Sequence, residues 1–366
     1  MCPQINYVGA MLMILMMACP SPKCDADCPD TGPETVDTED TGEAYTGPAG
    51  CETPHATFKP SSGAAVDMTA VMTAGTYTTL DQPGVLEVCP GTWFTRLLIR
   101  ADVTVKGLDT TPDTTILSGG ESGTILDLAG ATLTVENITL NRGAGLDVEH
   151  NSGGGGIYCE GNGTVLVEDA VFSENFANDG PAIYTQYCSL EVRDTLFIDN
   201  LAEDDGGAVA LWYSDADIRD TIFQDNEALD GGALALFYGE LYVADTSVMN
   251  NSSKNFAGGF WTLESDVTVL DSLFEGNVNA PGTQGGGMLI NGSASLNRVT
   301  FRDNGAPRGG GIFVYWEADV LGTNCSFSGN SPEDIFSADY SPEGGVSHSG
   351  SDDFSFFCEK NACSEI

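Results

Sequence analysis

The chemically strongest side chains in this 366-residue sequence are carboxylates arranged in rows. Asp169, Asp194, Asp220, Asp245 and Asp271 recur every 25 or 26 residues, and Asp179, Asp205 and Asp230 form a shorter row, each directly before a glycine. Charges stacked at the spacing of neighbouring strands, about 5 Å, repel one another and need compensation. Two readings are open. Each carboxylate caps a turn through backbone N–H groups and stands in water, or the rows hold Ca²⁺, a hard cation suited to such oxygens, with Asp179, Asp205 and Asp230 as the candidate ligands. No other cofactor is expected. A second chemistry is aromatic. Tyr158, Tyr184, Trp212, Phe237, Phe313 and Tyr315 fall between or after apolar residues that alternate with them, in rows shared with Ala210, Ala235, Thr262, Leu289, Gln186 and Glu264. If the apolar neighbours point inward, these point out. An exposed aromatic face beside acidic groups suits sugar stacking or protein docking. The alternative is that strands favour aromatics and neighbouring loops cover them. Basic chemistry is sparse: the 13 Lys and Arg residues are scattered, and no His lies in the regular repeats. Cleavage of acidic polysaccharides needs cations to meet the substrate as well as acid and base, so no catalytic residue is assigned. Polysaccharide lyase or hydrolase activity is the alternative to a binding role.

The elements that position these residues repeat. Phe172 to Asn175, Phe197 to Asn200, Phe223 to Asn226, Val248 to Asn251, Phe274 to Asn277, Phe301 to Asn304 and Phe327 to Asn330 are seven copies of one phrase, spaced by 25 to 27 residues. So regular a period means one unit stacked on itself. Within each unit apolar residues alternate, as in Leu190/Val192, Leu241/Val243, Val267/Val269, Val209/Leu211, Leu234/Leu236 and Ile312/Val314. Short alternating runs broken by Gly, Asn and Asp are strands and turns. About 25 residues hold three strands and three turns, and stacked coils bring like residues about 4.8 Å apart. The predicted fold is all-β, a single-stranded right-handed parallel β-helix of about nine or ten coils, with Phe and Asn ladders inside.

The phrases resemble the repeat of polymorphic outer membrane proteins, marked by Phe-x-x-Asn and Gly-Gly-Ala-Ile. The second motif appears as Gly206-Gly207-Ala208-Val209, Gly231-Gly232-Ala233-Leu234, Gly258-Gly259-Phe260-Trp261 and Gly309-Gly310-Gly311-Ile312. The resemblance covers about Gly153 to Asn330 and implies a β-helix of the pectate-lyase-like superfamily. Family members that are autotransporters carry a C-terminal membrane barrel; fewer than forty residues follow Asn330, too few for about eight spanning strands, so none is expected here.

Net charge is −41, from 13 basic and 54 acidic residues. That surface repels nucleic acid and anionic lipid headgroups. Eleven cysteines point to an oxidising compartment. The expected bridges are Cys51–Cys89 and Cys358–Cys363; Cys159 and Cys188 lie on neighbouring coils but differ in register by several residues. Cys325 stands in a column of small residues, as a buried thiol. The apolar run Val8–Ala18, ending in Met16-Met17-Ala18-Cys19, reads as a signal peptide over residues 1–19. Its end resembles a bacterial lipobox, which makes Cys19 the lipidated residue and the lipid its only membrane contact. Residues 20–50 form an acidic tether too poor in apolar side chains to fold. The β-helix spans 51–340, with an N-terminal cap over 51–84, and 341–366 are a C-terminal cap. His150 and Asn151 sit in an insertion between Leu140 and Gly156. The functional expectation is an exported, non-enzymatic binding or structural module of adhesin type, at the outer membrane surface or free, whose partner is a polysaccharide or a cell-surface protein.

Overall fold

A computed structural model describes residues 48–145, 153–280, 284–338, 345–348, 354–359 and 362–366. The signal segment with Cys19, the tether up to residue 47, and His150 with Asn151 lie outside the described residues. The described residues build a right-handed β-solenoid of about nine turns. One coil shows the plan. Ile183–Gln186, Ser189–Arg193, Leu196–Ile198 and Leu201–Ala202 make four faces, each pairing in parallel with the same segment of the neighbouring coils.

Three strands per coil were expected, and the structure has a fourth. Leu201–Ala202 joins Phe176–Ala177, Glu227–Asp230, Ser252–Phe256 and Val278–Asn279 in a separate five-stranded sheet. A segment of two residues is too short for alternation to show. Corners between faces use the left-handed backbone region. Asp169, Asp194, Asp220, Asp245 and Asp271 have φ between 46° and 50° and are exposed. Asp and Asn tolerate this conformation better than most residues, which explains the long row. Its last member, Asp271, is paired with Arg298 at 2.5 Å.

Two ladders hold the interior. Phe172, Phe197 and Phe223 stack with centroids 5.1 and 4.7 Å apart, and Phe274, Phe301 and Phe327 stack at 5.1 Å. At Val248 the row lacks a ring. Phe260, on the opposite face, fills the gap edge-on, 5.6 Å from Phe223 and 5.0 Å from Phe274. Asn175, Asn200, Asn226, Asn251, Asn277, Asn304 and Asn330 form one file, each side-chain amide donating to the next Oδ1 at 2.9–3.0 Å. Each Oδ1 also accepts the backbone N–H of the preceding Asn, and each Nδ2 also reaches a backbone carbonyl. A buried amide satisfied at every lone pair and proton stabilises the fold; a half-satisfied one would oppose it.

Antiparallel strands cover both ends. Ala56–Pro60 pairs with Gly84–Val88, beside the short helix Thr69–Ala74, and the Cys51–Cys89 disulfide ties this region together. At the other end Phe354–Glu359 lies along Asp319–Ser328. Gly322 stands where Leu296 fills the previous coil, and a Cβ there would lie 2.1 Å from the Phe356 ring. The missing side chain admits the covering one. Cys358–Cys363 and Cys159–Cys188 are bonded, while Cys325 is a buried free thiol. The last pair is offset by three residues, because Cys159 lies opposite Thr185. Cys188 reaches back across the corner, and Gly163 leaves room for the sulfur: a Cβ there would be 2.7 Å from Cys159 Sγ.

Candidate binding face

The aromatic row expected on the surface of the first face is largely covered. Tyr184 and Phe237 are each 2% exposed and Phe313 is fully buried, while Tyr158, Trp212 and Tyr315 are half-buried. The fourth strand and the glycine turn that follows it fold back over this face. A Cβ at Gly153 would sit 2.6 Å from the Tyr184 ring, and one at Gly180 would lie 3.0 Å from Ala210 Cβ. Small residues at Ala210 and Ala235 fit beneath the same turns. Farther along, Phe256 of the fourth strand packs on Trp261, which meets Phe237 edge-on at 4.8 Å. The row is also shifted in one coil: Ala235 pairs with Trp261 and Phe237 with Leu263, so Thr262 points inward and Glu264 falls at the corner.

The exposed aromatic ladder stands at that corner, immediately after the first face. Tyr187, Tyr213 and Tyr238 stack at 5.1 and 4.9 Å with rings 14° and 9° from parallel. They are 53, 45 and 37% exposed. All three have positive φ, as do Gly161 before them and Glu264 after them. A bulky side chain in the left-handed region costs about 1 kcal/mol or more relative to glycine. Backbone economy favours Gly or Asn here, as at Gly161, and three consecutive coils carry tyrosine instead. No alternation marks a corner residue. The signal that would have revealed the row is its own spacing, 26 and 25 residues.

Two residues beyond each tyrosine begins the second face, hollowed into a trough of about 650 Å³ that crosses six strands, from Thr164 and Leu166 at one end to Ser293 and Ser295 at the other. Its outer rows are Ser189, Asp215, Glu240, Asp266 and Ser293, then Glu191, Asp217, Tyr242, Thr268 and Ser295. Asp217 is bound by Arg219 at 2.8 Å and Arg193 at 3.0 Å. Burial works to raise its carboxyl, but hydrogen bonds from both guanidinium groups hold it below the usual carboxylate range. The Arg219 guanidinium also covers the Tyr242 ring at 4.6 Å. The trough thus offers fixed carboxylates, hydroxyls and a cation-covered ring, a set that accepts and donates hydrogen bonds to hydroxyl-rich ligands.

The carboxylates whose proton affinity is raised most lie elsewhere, under the glycine turn. The exposed corner residues Asp194 and Asp199 are also raised, by burial and by the like charges of neighbouring coils. Burial, with repulsion from Asp179, Asp204 and Asp230, pushes Asp205 up to about 8. Asp230 is raised to about 6 by burial, against hydrogen bonds from Phe256 N–H and Asn255. Asp179 is raised by burial too. Of the residues expected to share a cation, Asp179 and Asp205 come together, and Asp204 joins them; one oxygen from each lies within 4.8 Å of the others. Asp230 is committed differently, accepting Phe256 N–H at 2.8 Å. Asp204 escaped notice because its row does not repeat.

Residues 155–331 match the family described as the right handed beta helix region, in agreement with the architecture above. The crystal structure of PfbA, a surface adhesin of Streptococcus pneumoniae, aligns with 79% of this chain and 90% of that chain at 9% identity. Its TM-score is 0.28, too remote a likeness to bear on function. No curated protein sequence matches the chain.

Proposed function

We propose that this protein is an exported, non-catalytic binding module that holds a neutral polysaccharide on the Tyr187–Tyr213–Tyr238 ladder and the adjoining trough. The observation that carries this reading is the ladder itself: three exposed, parallel rings held in a backbone conformation that tyrosine disfavours. Flat aromatic rows accept the C–H faces of sugar rings, and the trough's carboxylates and hydroxyls suit sugar hydroxyls. The net charge of −41 argues for a neutral glycan over an acidic one. Binding is favoured over hydrolysis by where the carboxyls sit. A glycosidase needs a raised carboxyl facing its substrate, whereas Asp205 and Asp230 are covered and Asp217, in the trough, is held low. Three disulfides support an oxidising, extracytoplasmic compartment. The lipobox-like end at Cys19 and the acidic tether support display from a membrane surface, and the repeat motifs resembling polymorphic outer membrane proteins agree with that location.

The test is retention of the full chain on a panel of neutral cell-wall and matrix polysaccharides, with reducing ends assayed in parallel. Tyr187→Asn, Tyr213→Asn and Tyr238→Asn together keep a residue suited to positive φ, so the fold persists. Losing three stacking rings at roughly 0.5–1.5 kcal/mol each should weaken retention by tenfold or more. Retention unchanged in the triple variant, or release of reducing ends by the parent, overturns the proposal.

A further inference from the structure

We propose that Asp179, Asp204 and Asp205 form a Ca²⁺ site that joins two successive coils beneath the glycine turn. The site does not depend on the polysaccharide reading. Asp179 belongs to one coil and the other two residues to the next, with one carboxylate oxygen from each within 4.8 Å of the others. The backbone fixes all three. Asp204 N–H donates to the Asn178 carbonyl at 2.8 Å, Asp205 N–H donates to Asp179 Oδ1 at 3.1 Å, and the Asp204 carbonyl accepts Leu229 and Asp230 N–H at 3.0 Å. The Asn178 side-chain amide donates to Asp179 Oδ1 at 3.3 Å.

Acidic clusters are common on so acidic a surface; Asp205 sets this one apart. It is only 9% exposed. In its row Asp179 accepts the next coil's N–H and so does Asp230. The carboxylate of Asp205 does not, because Asp230 N–H turns to the Asp204 carbonyl instead. Among the described residues it accepts no hydrogen bond, and its oxygen faces two other carboxylates. Burying an unpaired carboxylate costs several kcal/mol, and a divalent cation between the three compensates all of them. Only oxygen ligands are present, on irregular backbone that tolerates the variable geometry of Ca²⁺ better than the near-octahedral demand of Mg²⁺. Asp204 is partly exposed, so the ion has an approach from solvent, and waters complete its shell.

The experiment is calorimetric titration of the chelator-treated full chain with CaCl₂ and, separately, MgCl₂, with thermal unfolding followed in each. One equivalent of Ca²⁺ should bind with a dissociation constant of about 10⁻⁴–10⁻³ M, the range of extracellular modules, and raise the unfolding temperature where Mg²⁺ does so weakly. Asp204→Asn, at a partly exposed position, and Asp205→Asn should each abolish that equivalent, whereas Asp169→Asn, in the exposed corner row, should leave it. Absence of heat and of any thermal shift at about 10 mM Ca²⁺ overturns the proposal. So does diffuse, many-equivalent binding that Asp204→Asn leaves unchanged.

Discussion

Removing one rung of the asparagine file tests the whole stack. Asn226 makes four hydrogen bonds through its side chain: Oδ1 accepts Asn200 N–H at 3.1 Å and Asn200 Nδ2 at 2.9 Å, and Nδ2 donates to Asn251 Oδ1 at 2.9 Å and the Phe197 carbonyl at 3.1 Å. Asn226→Ala strands a buried backbone donor, at about 1–3 kcal/mol, and loses three further bonds worth roughly 1 kcal/mol each. The expected loss is about 4 to 6 kcal/mol, which at a typical urea slope of about 1–3 kcal/mol per molar moves the midpoint by about 1 M or more. Asn226→Asp refines the test. An ionised Asp keeps both acceptor contacts but faces Asn251 Oδ1 without a proton to give; a protonated Asp restores that bond. Its folded-state pKa is therefore raised above the unfolded value near 4. A raised folded pKa contributes stability that is complete below the unfolded value and is lost as pH rises through the folded one. The gap to the parent should be small at acid pH and widen toward neutrality, read as the difference in urea midpoints so that global charge effects cancel. If Asn226→Ala shifts the midpoint no more than the exposed Asp220→Asn does, or the Asn226→Asp gap is constant with pH, the file does not stabilise the stack as argued.

Asp205 should show the same sign of pH dependence in chelator-containing buffer. Its pKa of about 8 means its contribution is lost as pH rises from the unfolded value of about 4 through about 8. In urea midpoint, Asp205→Asn should therefore match the parent below about pH 4, exceed it increasingly as pH rises, and keep that lead above about pH 8. At the gap in the phenylalanine ladder, Val248→Phe should collide with Phe260 and cost about 1–3 kcal/mol. Adding Phe260→Val should recover most of it, so that a double-mutant cycle by denaturant unfolding gives a strongly non-additive coupling.

The architecture was legible because a solenoid writes its contacts into the sequence at one fixed interval. Coils stack in register, so each lateral neighbour of Asn226 is the residue one period away, and the files at Phe197 and Asn200 can be read without knowing any tertiary contact. Inward alternation at Val209/Leu211 and Ile312/Val314 follows from the two-residue period of strands. What the sequence did not reveal is how the chain lies upon itself within a coil. Leu201–Ala202 is too short to leave a periodic trace, yet its stack and the following glycine turns fold over the first face and cover Tyr184, while Phe237 packs between Trp212 and Trp261 and Phe313 stacks on Phe336. The same fold-back buries Asp205 and brings in Asp204, whose row has no repeat to announce it. Corners obey neither helical nor strand periodicity, so the exposed tyrosines at 187, 213 and 238 stood outside any alternation. Periodicity in the sequence determined which residues stack between coils; only the tertiary structure decided which outward side chains meet water, because that depends on where an aperiodic turn places its backbone.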